Sequence, residues 1–111
     1  MPHQASLPTA AKADFFRTLG HPARVRILQL LRGGERTVGA LQAELGLDSG
    51  GTSQQLAALR RIGLVEGRRV GTSVYYRVTD DDVFALLELA RGIIGRTLEA
   101  RQTLLDELAS E

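Results

Sequence analysis

The chain of 111 residues contains no cysteine and no apolar run long enough to span a bilayer. The absence of cysteine excludes disulfides, thiolate metal sites and thiol redox sensing within this chain. The first residues, MPHQASLPTAAK, lack the basic segment followed by an apolar run that is typical of a signal peptide. We therefore expect a small cytoplasmic domain with no membrane contact. Its core is modest, so a partner chain would help to stabilise it.

Charges of both signs are present but unevenly distributed. Residues 1–78 carry 11 basic and 5 acidic residues, a net charge of +6, whereas residues 79–111 carry 3 basic and 8 acidic residues, a net charge of −5. This asymmetry indicates a basic part that faces a polyanion and an acidic tail that faces elsewhere. The chain has no Gly-rich phosphate loop, Ser-His-Asp arrangement or paired acids in a cleft pattern, so we expect no enzymatic activity.

The hydrophobic pattern and the capping residues predict five helices and a β-hairpin. Residues 1–8 have two prolines and no periodicity, which predicts a mobile arm, and residues 9–111 are predicted to form the domain. The predicted helices run from about Thr9 to Leu19, from Pro22 to the Gly33-Gly34 pair, from a Thr37 cap to Gly46, from an Asp48 or Ser49 cap to Gly63, and from about Asp81 to Leu108. One predicted strand starts with Leu64–Glu66, the other is Val74–Val78, and Gly71 lies near the tip.

This order of elements is that of a winged helix, a mainly α fold with a small β-hairpin. Phe15, Phe16 and Leu19 form the apolar stripe of the first helix. The last helix carries a stripe from Val83 to Leu108 that is too long for one small domain to cover. The sequence therefore predicts a homodimer that packs through the first and last helices.

Several segments together resemble the ArsR/SmtB family of bacterial repressors over roughly residues 10–108. The segments are Phe16–Arg24 and Arg26–Leu31 at the second helix, Ser53–Val65 at the recognition helix and the approach to the wing, and Gly67–Gly71 and Tyr75–Val78 in the wing. The resemblance implies a dimeric winged helix that binds an inverted repeat in a double-stranded DNA operator. Repression is the family default, but an activator or a regulator that needs a co-regulator protein would have the same fold.

The second helix of a helix-turn-helix enters the major groove, and the wing touches the flanking backbone. Glutamine can pair with adenine edges, serine can contact a base or a phosphate, and threonine offers a hydroxyl and a methyl. Arginines on the helix and wing suit phosphate or minor-groove contacts, although Arg61 is equally compatible with a solvated helix end. The predicted DNA-binding residues are Thr52, Ser53, Gln54, Gln55, Arg60, Arg61, Arg68, Arg69 and Arg77.

Many members of this family release DNA when they bind a metal ion, and two of their common metal sites can be compared with this chain. One site uses cysteines at the start of the third helix, where this chain has Thr37 and its neighbours. The other uses carboxylates and histidines on the last helix. Asp80 and Asp82 match its first half, but Ile93 and Arg96 occupy its second half and cannot ligate a cation.

A relocated metal site remains a hypothesis, with His3 or His21 as nitrogen ligands. Such a site would combine them with acidic residues and would suit nickel, zinc or cobalt; the carboxylates considered are Asp14, Glu88, Glu99 and Asp106. The alternative is that His21, before Pro22, starts or packs a helix and that the acidic residues form a solvated face. A small organic ligand or a partner protein is also left open, as is a winged helix that binds protein rather than DNA.

Overall fold

The computed structural model describes residues 7–110, so most of the predicted N-terminal arm lies outside the described residues. The described elements are α1 (Thr9–Leu19), α2 (Pro22–Leu31), β1 (Arg36–Thr37), α3 (Val38–Leu45), α4 (Ser49–Arg61), β2 (Val65–Val70), β3 (Ser73–Val78) and α5 (Asp82–Ala109). They fall into two compact units, Met1–Asp80 and Asp81–Glu111. The predicted mainly helical winged helix is confirmed.

Local capping explains why the helices of the first unit begin and end where they do. The side chain of Thr37 accepts a hydrogen bond from the amide of Ala40 at 3.1 Å, and that of Asp48 accepts one from Gly51 at 2.6 Å. These bonds satisfy amides that have no partner inside the helix. Gly46 ends α3 with a φ of 68°, a conformation that costs glycine little. The sequence predicted the Thr37 and Gly46 boundaries, and of the two caps that it allowed for α4, Asp48 is the one used.

His21 also starts a helix, as one of the two sequence interpretations proposed. Its Nδ1 accepts a hydrogen bond from the amide of Ala23 at 3.1 Å, and Pro22 occupies the first helical position. The missing N–H of proline is no loss there, because that amide would have no helical partner. The imidazole therefore replaces a missing backbone partner at the start of α2.

The core of the first unit lies between α2, α3, α4 and the sheet. Apolar side chains of these elements are almost fully enclosed: Ile27, Leu28, Leu31, Leu41, Leu56, Leu59, Leu64, Val65 and Val78. On α1, by contrast, the polar Thr18 is 2% exposed whereas Phe16 is 60% exposed. The apolar stripe of α1 is therefore only partly covered within one chain.

The sheet has three antiparallel strands in the order β1-β3-β2. The short strand β1 was not predicted, because two residues show no periodicity. The strand predicted to begin at Leu64 begins at Val65, and β3 begins one residue before the predicted Val74. Gly71, with a φ of 62°, lies at the turn between them as expected. In this register Glu66 is opposite Arg77, Arg68 is opposite Tyr75, and Arg69 is opposite Val74.

The helix α5, taken by itself, is 28 residues long and presents many large apolar side chains to solvent. The exposed ones are Leu89, Ile93, Ile94, Leu98, Leu104, Leu105 and Leu108. None of the described helices combines the length and the hydropathy needed to cross a membrane. An exposed apolar stripe of this kind, on a helix that does not cross a membrane, is typical of an interaction surface.

Candidate nucleic-acid interface

The two sides of α4 have opposite characters. Thr52, Leu56 and Leu59 are buried and fix the helix on the core. At 3.6 residues per turn, Gln54 and Arg61 lie opposite these buried residues. The exposed residues of α4 beside them are Ser53, Ala57 and Arg60. A helix held along one side and polar along the other suits the recognition position of a helix-turn-helix.

Thr52 was predicted to contact DNA, but the structure places its side chain inside the core. Its side chain is 0% exposed, and its hydroxyl donates a hydrogen bond to the carbonyl oxygen of Asp48 at 2.9 Å. Neither its hydroxyl nor its methyl group is accessible to a phosphate or a thymine. A threonine is usually exposed, which favoured a DNA contact. Thr52 instead lies one helical turn before Leu56, on the buried side of α4.

Three of the predicted helix residues retain all their hydrogen-bonding capacity. Within the described residues, the side chains of Ser53, Gln54 and Arg60 form no hydrogen bond or ion pair, and all three are exposed. Of these, Gln54 alone has both a donor and an acceptor in the fixed geometry that matches adenine N6 and N7. Gln54 is therefore the best-placed candidate for direct reading of a base.

Gln55 and Arg61 are placed differently, because both are engaged by the protein. The side-chain oxygen of Gln55 accepts a hydrogen bond from Nε of Arg24 at 2.8 Å. Arg61 forms an ion pair with Asp14 at 3.3 Å and donates to the hydroxyl of Thr18, also at 3.3 Å. These contacts join α4 to α1 and α2, so Gln55 and Arg61 have intramolecular partners.

Two of the three predicted wing arginines are already paired with carboxylates. Arg68 donates to Glu35 from Nη2 at 3.0 Å and from Nε at 3.2 Å. Arg77 forms an ion pair with Glu66, which lies directly opposite on the neighbouring strand. The hydrogen bonds from Arg68 to Glu35 are the main reason why the pKa of Glu35 is lowered, and the same contact raises the pKa of Arg68.

Arg69 differs from both of these wing arginines. Side chains alternate between the two faces of a strand, so Arg69 lies on the opposite face of β2 from Arg68. No carboxylate or other partner for Arg69 is present among residues 7–110, and the residue is exposed. The wing therefore has one uncompensated cation on this strand, which is the group best able to attract a phosphate.

The metal candidates are not brought together in the part of the chain that the structure describes. Residues 7–110 hold no group of three or more His, Asp or Glu side chains arranged for a metal ion. Nδ1 of His21 is occupied by its helix-start hydrogen bond, Asp80 and Asp82 have other interactions, and His3 lies outside the described residues. The described residues therefore do not fit the metal sites implied by the family.

Sequence reasoning missed two residues that shape this surface, Arg24 and Glu35. Arg24 is part of the Pro22-to-Arg24 segment that carried the family resemblance, but its partner Gln55 is 31 positions away. Glu35 is 33 positions from Arg68. No periodicity connects residues at such separations, so only the folded chain reveals these partners.

Comparison with known proteins gives consistent results for sequence and structure. A family model described as a helix-turn-helix domain matches residues 19–68. An uncharacterized HTH-type transcriptional regulator of Mycobacterium tuberculosis, Rv0081, is 46% identical over 98 residues, which cover 87% of this chain and 86% of that protein. The biofilm growth-associated repressor of Agrobacterium fabrum is 40% identical over 76 residues, covering 68% of this chain and 65% of that protein.

Solved structures resemble this chain over most of its length. The crystal structure of Rv0081 matches with a TM-score of 0.80 and 46% identity, covering 86% of this chain and 98% of that chain. A solution structure from Mycobacterium bovis is described as the homodimeric winged helix-turn-helix DNA-binding domain of a "possible ArsR-family transcriptional regulator". It matches with a TM-score of 0.73 and 34% identity, covering 86% of this chain and 94% of that one.

Proposed function

Because this chain belongs to the ArsR/SmtB family of winged helix-turn-helix transcriptional regulators, we propose that it binds a DNA operator as a homodimer and represses transcription. In each subunit α4 lies in the major groove, and the wing formed by β2 and β3 touches the flanking phosphates. The observation that carries this proposal is the two-sided character of α4. Its buried side is fixed on the core, and its exposed side presents Gln54, for which residues 7–110 supply no competing partner.

A homodimer is supported by the apolar stripe of α5 and by Phe16 of α1. Seven large apolar side chains of α5 are between 53% and 66% exposed in the single chain, from Leu89 to Leu108. Exposed apolar surface of this extent is unfavourable in water and is typical of an interface. A second copy that presents the same stripe would cover it about a two-fold axis, and the Mycobacterium bovis relative is described as homodimeric.

Two-fold symmetry determines the form of the operator. Two identical recognition helices read two half-sites in inverted orientation, about one helical turn apart or a multiple of it. Repression, rather than activation, is supported by the name of the Agrobacterium fabrum relative, a biofilm growth-associated repressor. The same proposal locates the protein in the cytoplasm, together with its DNA.

The test is selection of binding sites from a randomised DNA duplex, followed by affinity measurements on the selected sequence and on random DNA. We expect discrimination that Gln54→Ala reduces by about 1–3 kcal/mol, because the paired contact to one base is lost. Affinity for random DNA should change little. The matched control is Gln29→Ala, which removes an exposed glutamine from α2.

Two outcomes would contradict the proposal. Equal discrimination by the wild-type protein and Gln54→Ala would remove that residue from base reading. Failure to enrich any sequence, together with binding that hardly changes with salt, would favour the protein-binding alternative, because DNA binding releases counterions and weakens steeply as salt increases.

A further inference from the structure

We propose that Arg24 is a positioning residue that orients the recognition helix α4 through Gln55 without touching DNA. This inference rests on the proposed operator-binding function and assigns a different role to Gln55 from the one its sequence position predicts. Arg24 is the third residue of α2 and lies in its first turn. Its guanidinium links three helices.

Two hydrogen bonds define this link. Nε of Arg24 donates to the side-chain oxygen of Gln55 on α4 at 2.8 Å, and Nη1 donates to the backbone carbonyl of Thr18 on α1 at 3.1 Å. Arginine has donors and no acceptor, so the oxygen of Gln55, and not its nitrogen, must face the guanidinium. A rigid planar group held at two points resists rotation of α4 about its own axis.

A second arginine reinforces the same connection from the other direction. Arg61, at the end of α4, reaches back to Asp14 and to the hydroxyl of Thr18 on α1. Thr18 is 2% exposed, and its carbonyl and hydroxyl accept part-buried hydrogen bonds from the two arginines, whereas the ion pair of Arg61 with Asp14 is exposed. The two hydrogen bonds to Thr18 therefore contribute more than the ion pair, because water competes less with them.

The position of Gln55 on the helix separates this role from base reading. With about 100° between successive residues, Gln55 lies on the flank of α4, far from the direction of Ser53 and Ala57. Gln55 is half-buried, whereas Gln54 and Ser53 are exposed. Bidentate recognition of adenine uses the amide oxygen in a fixed orientation, and the hydrogen bond from Arg24 already directs the oxygen of Gln55 towards α2.

A positioning residue and a base-reading residue differ in how their removal affects discrimination between bases. A residue that reads one base affects preference at that base pair, whereas a residue that orients the helix affects every base that the helix reads. Nonspecific phosphate binding tolerates a small rotation of α4, because it does not require aligned base contacts. Loss of Arg24 should therefore reduce discrimination across the half-site and leave affinity for random DNA nearly unchanged.

The experiment measures base preference at each operator position for the full chain, using a DNA library with every single substitution. Arg24→Met and Gln55→Met should each reduce the ratio of operator to random affinity by roughly tenfold, spread over all positions read by α4. Because the two residues act as one unit, the double variant should be no worse than either single variant. Arg26→Met is the matched control, since it removes an exposed arginine of α2 that has no partner among the described residues.

A conservative variant provides the decisive comparison, and it remains informative if Arg24→Met does not fold. Gln55→Glu keeps an oxygen for Arg24, so positioning predicts the same base preferences as the wild type. Direct reading predicts instead a change from adenine to cytosine at one position, because a carboxylate only accepts hydrogen bonds. Thermal unfolding of each variant verifies that the compared proteins are folded.

Three results would overturn the inference: a change confined to one base pair in Gln55→Met, additive losses in the double variant, or an altered preference in Gln55→Glu. These results are distinguishable from failure of the proposed function. If the wild-type protein discriminates no sequence from random DNA, operator binding itself is wrong. If it discriminates normally and Arg24→Met does so equally, only the positioning role of Arg24 is wrong.

Discussion

The carboxylate of Glu35 accepts two hydrogen bonds from the guanidinium of Arg68, at 3.0 Å and 3.2 Å. The same guanidinium lies 5.5 Å from the centroid of the Tyr75 ring, which is directly opposite on β3. Arg68 is thus held by an ion pair from the segment before β1 and by an aromatic ring across the wing. Both charged groups are exposed, so the contact mainly restricts where Arg68 points and contributes little to overall stability.

The pKa of Glu35 leads to a prediction about pH. Hydrogen bonding from Arg68 lowers this pKa in the folded protein. A carboxyl group with a lowered folded-state pKa contributes stability that is present above its unfolded-state pKa and is lost as the pH falls through its folded-state pKa. We therefore expect acidification to release Arg68 and loosen the wing. The measurement is amide hydrogen exchange of β2 and β3 as the pH is lowered through the folded-state pKa of Glu35. Exchange should become faster as the wing loosens.

Glu35→Gln is the comparison for this pH dependence. The variant cannot ionise at position 35, so its wing should show the looser behaviour at neutral pH and little further change on acidification. An identical pH profile for the two proteins would mean that another acidic group controls the wing.

Salt dependence should distinguish the wing arginines from one another. Arg69 has no carboxylate partner among the described residues, whereas Arg77 is paired with Glu66. If Arg69 contacts one phosphate, Arg69→Ala should make the negative slope of log affinity against log salt less steep by about 0.9. It should also weaken binding to all DNA. Arg77→Ala should change the slope less, because Glu66 already offsets that charge. Equal changes in slope for the two variants would show that the ion pair between Arg77 and Glu66 opens when the protein binds DNA.

The stripe on α5 predicts that dimerisation depends on apolar contact. Leu98 is 56% exposed in the single chain, and Leu98→Glu places a charge that an apolar interface would have to desolvate. We expect sedimentation to detect monomers and operator affinity to fall. The control is Arg96→Glu, which introduces the same carboxylate elsewhere on the exposed surface of α5. Dissociation by Arg96→Glu alone would place the interface on the other side of the helix.

Gly67 in β2 is required for close packing of the wing. A Cβ atom at this position would lie 3.0 Å from Cγ1 of Val74 and 3.2 Å from Cε1 of Tyr76. Gly67→Ala should therefore destabilise the protein by about 1–3 kcal/mol through overpacking. Gly95→Ala is the matched control, since its Cβ meets no atom within 4 Å and alanine favours a helix interior by about 1 kcal/mol. Thermal unfolding of the two variants should shift in opposite directions.

The sequence by itself determined the order and the ends of the helices. Capping acts over two or three residues, so Thr37, Asp48 and Gly46 identify helix boundaries without knowledge of the fold. Apolar periodicity likewise indicated the buried sides of α2 and α4, although not that of α1, where Phe16 is exposed and Thr18 is buried. The turn at Gly71 follows from local backbone preference. Together with the motifs that resemble the family, these local features were sufficient to predict a winged helix.

Only the tertiary structure decided which polar side chains remain available to DNA. Thr52 is enclosed in the core, Gln55 is held by Arg24, and Arg68 is held by Glu35, whereas Gln54 and Arg69 have no partner within the described residues. Neighbouring residues of the same chemical type therefore have different roles. The physical reason is that the partners of Gln55 and Arg68 come from positions more than 30 residues away, and the periodicity of one element contains no information about them.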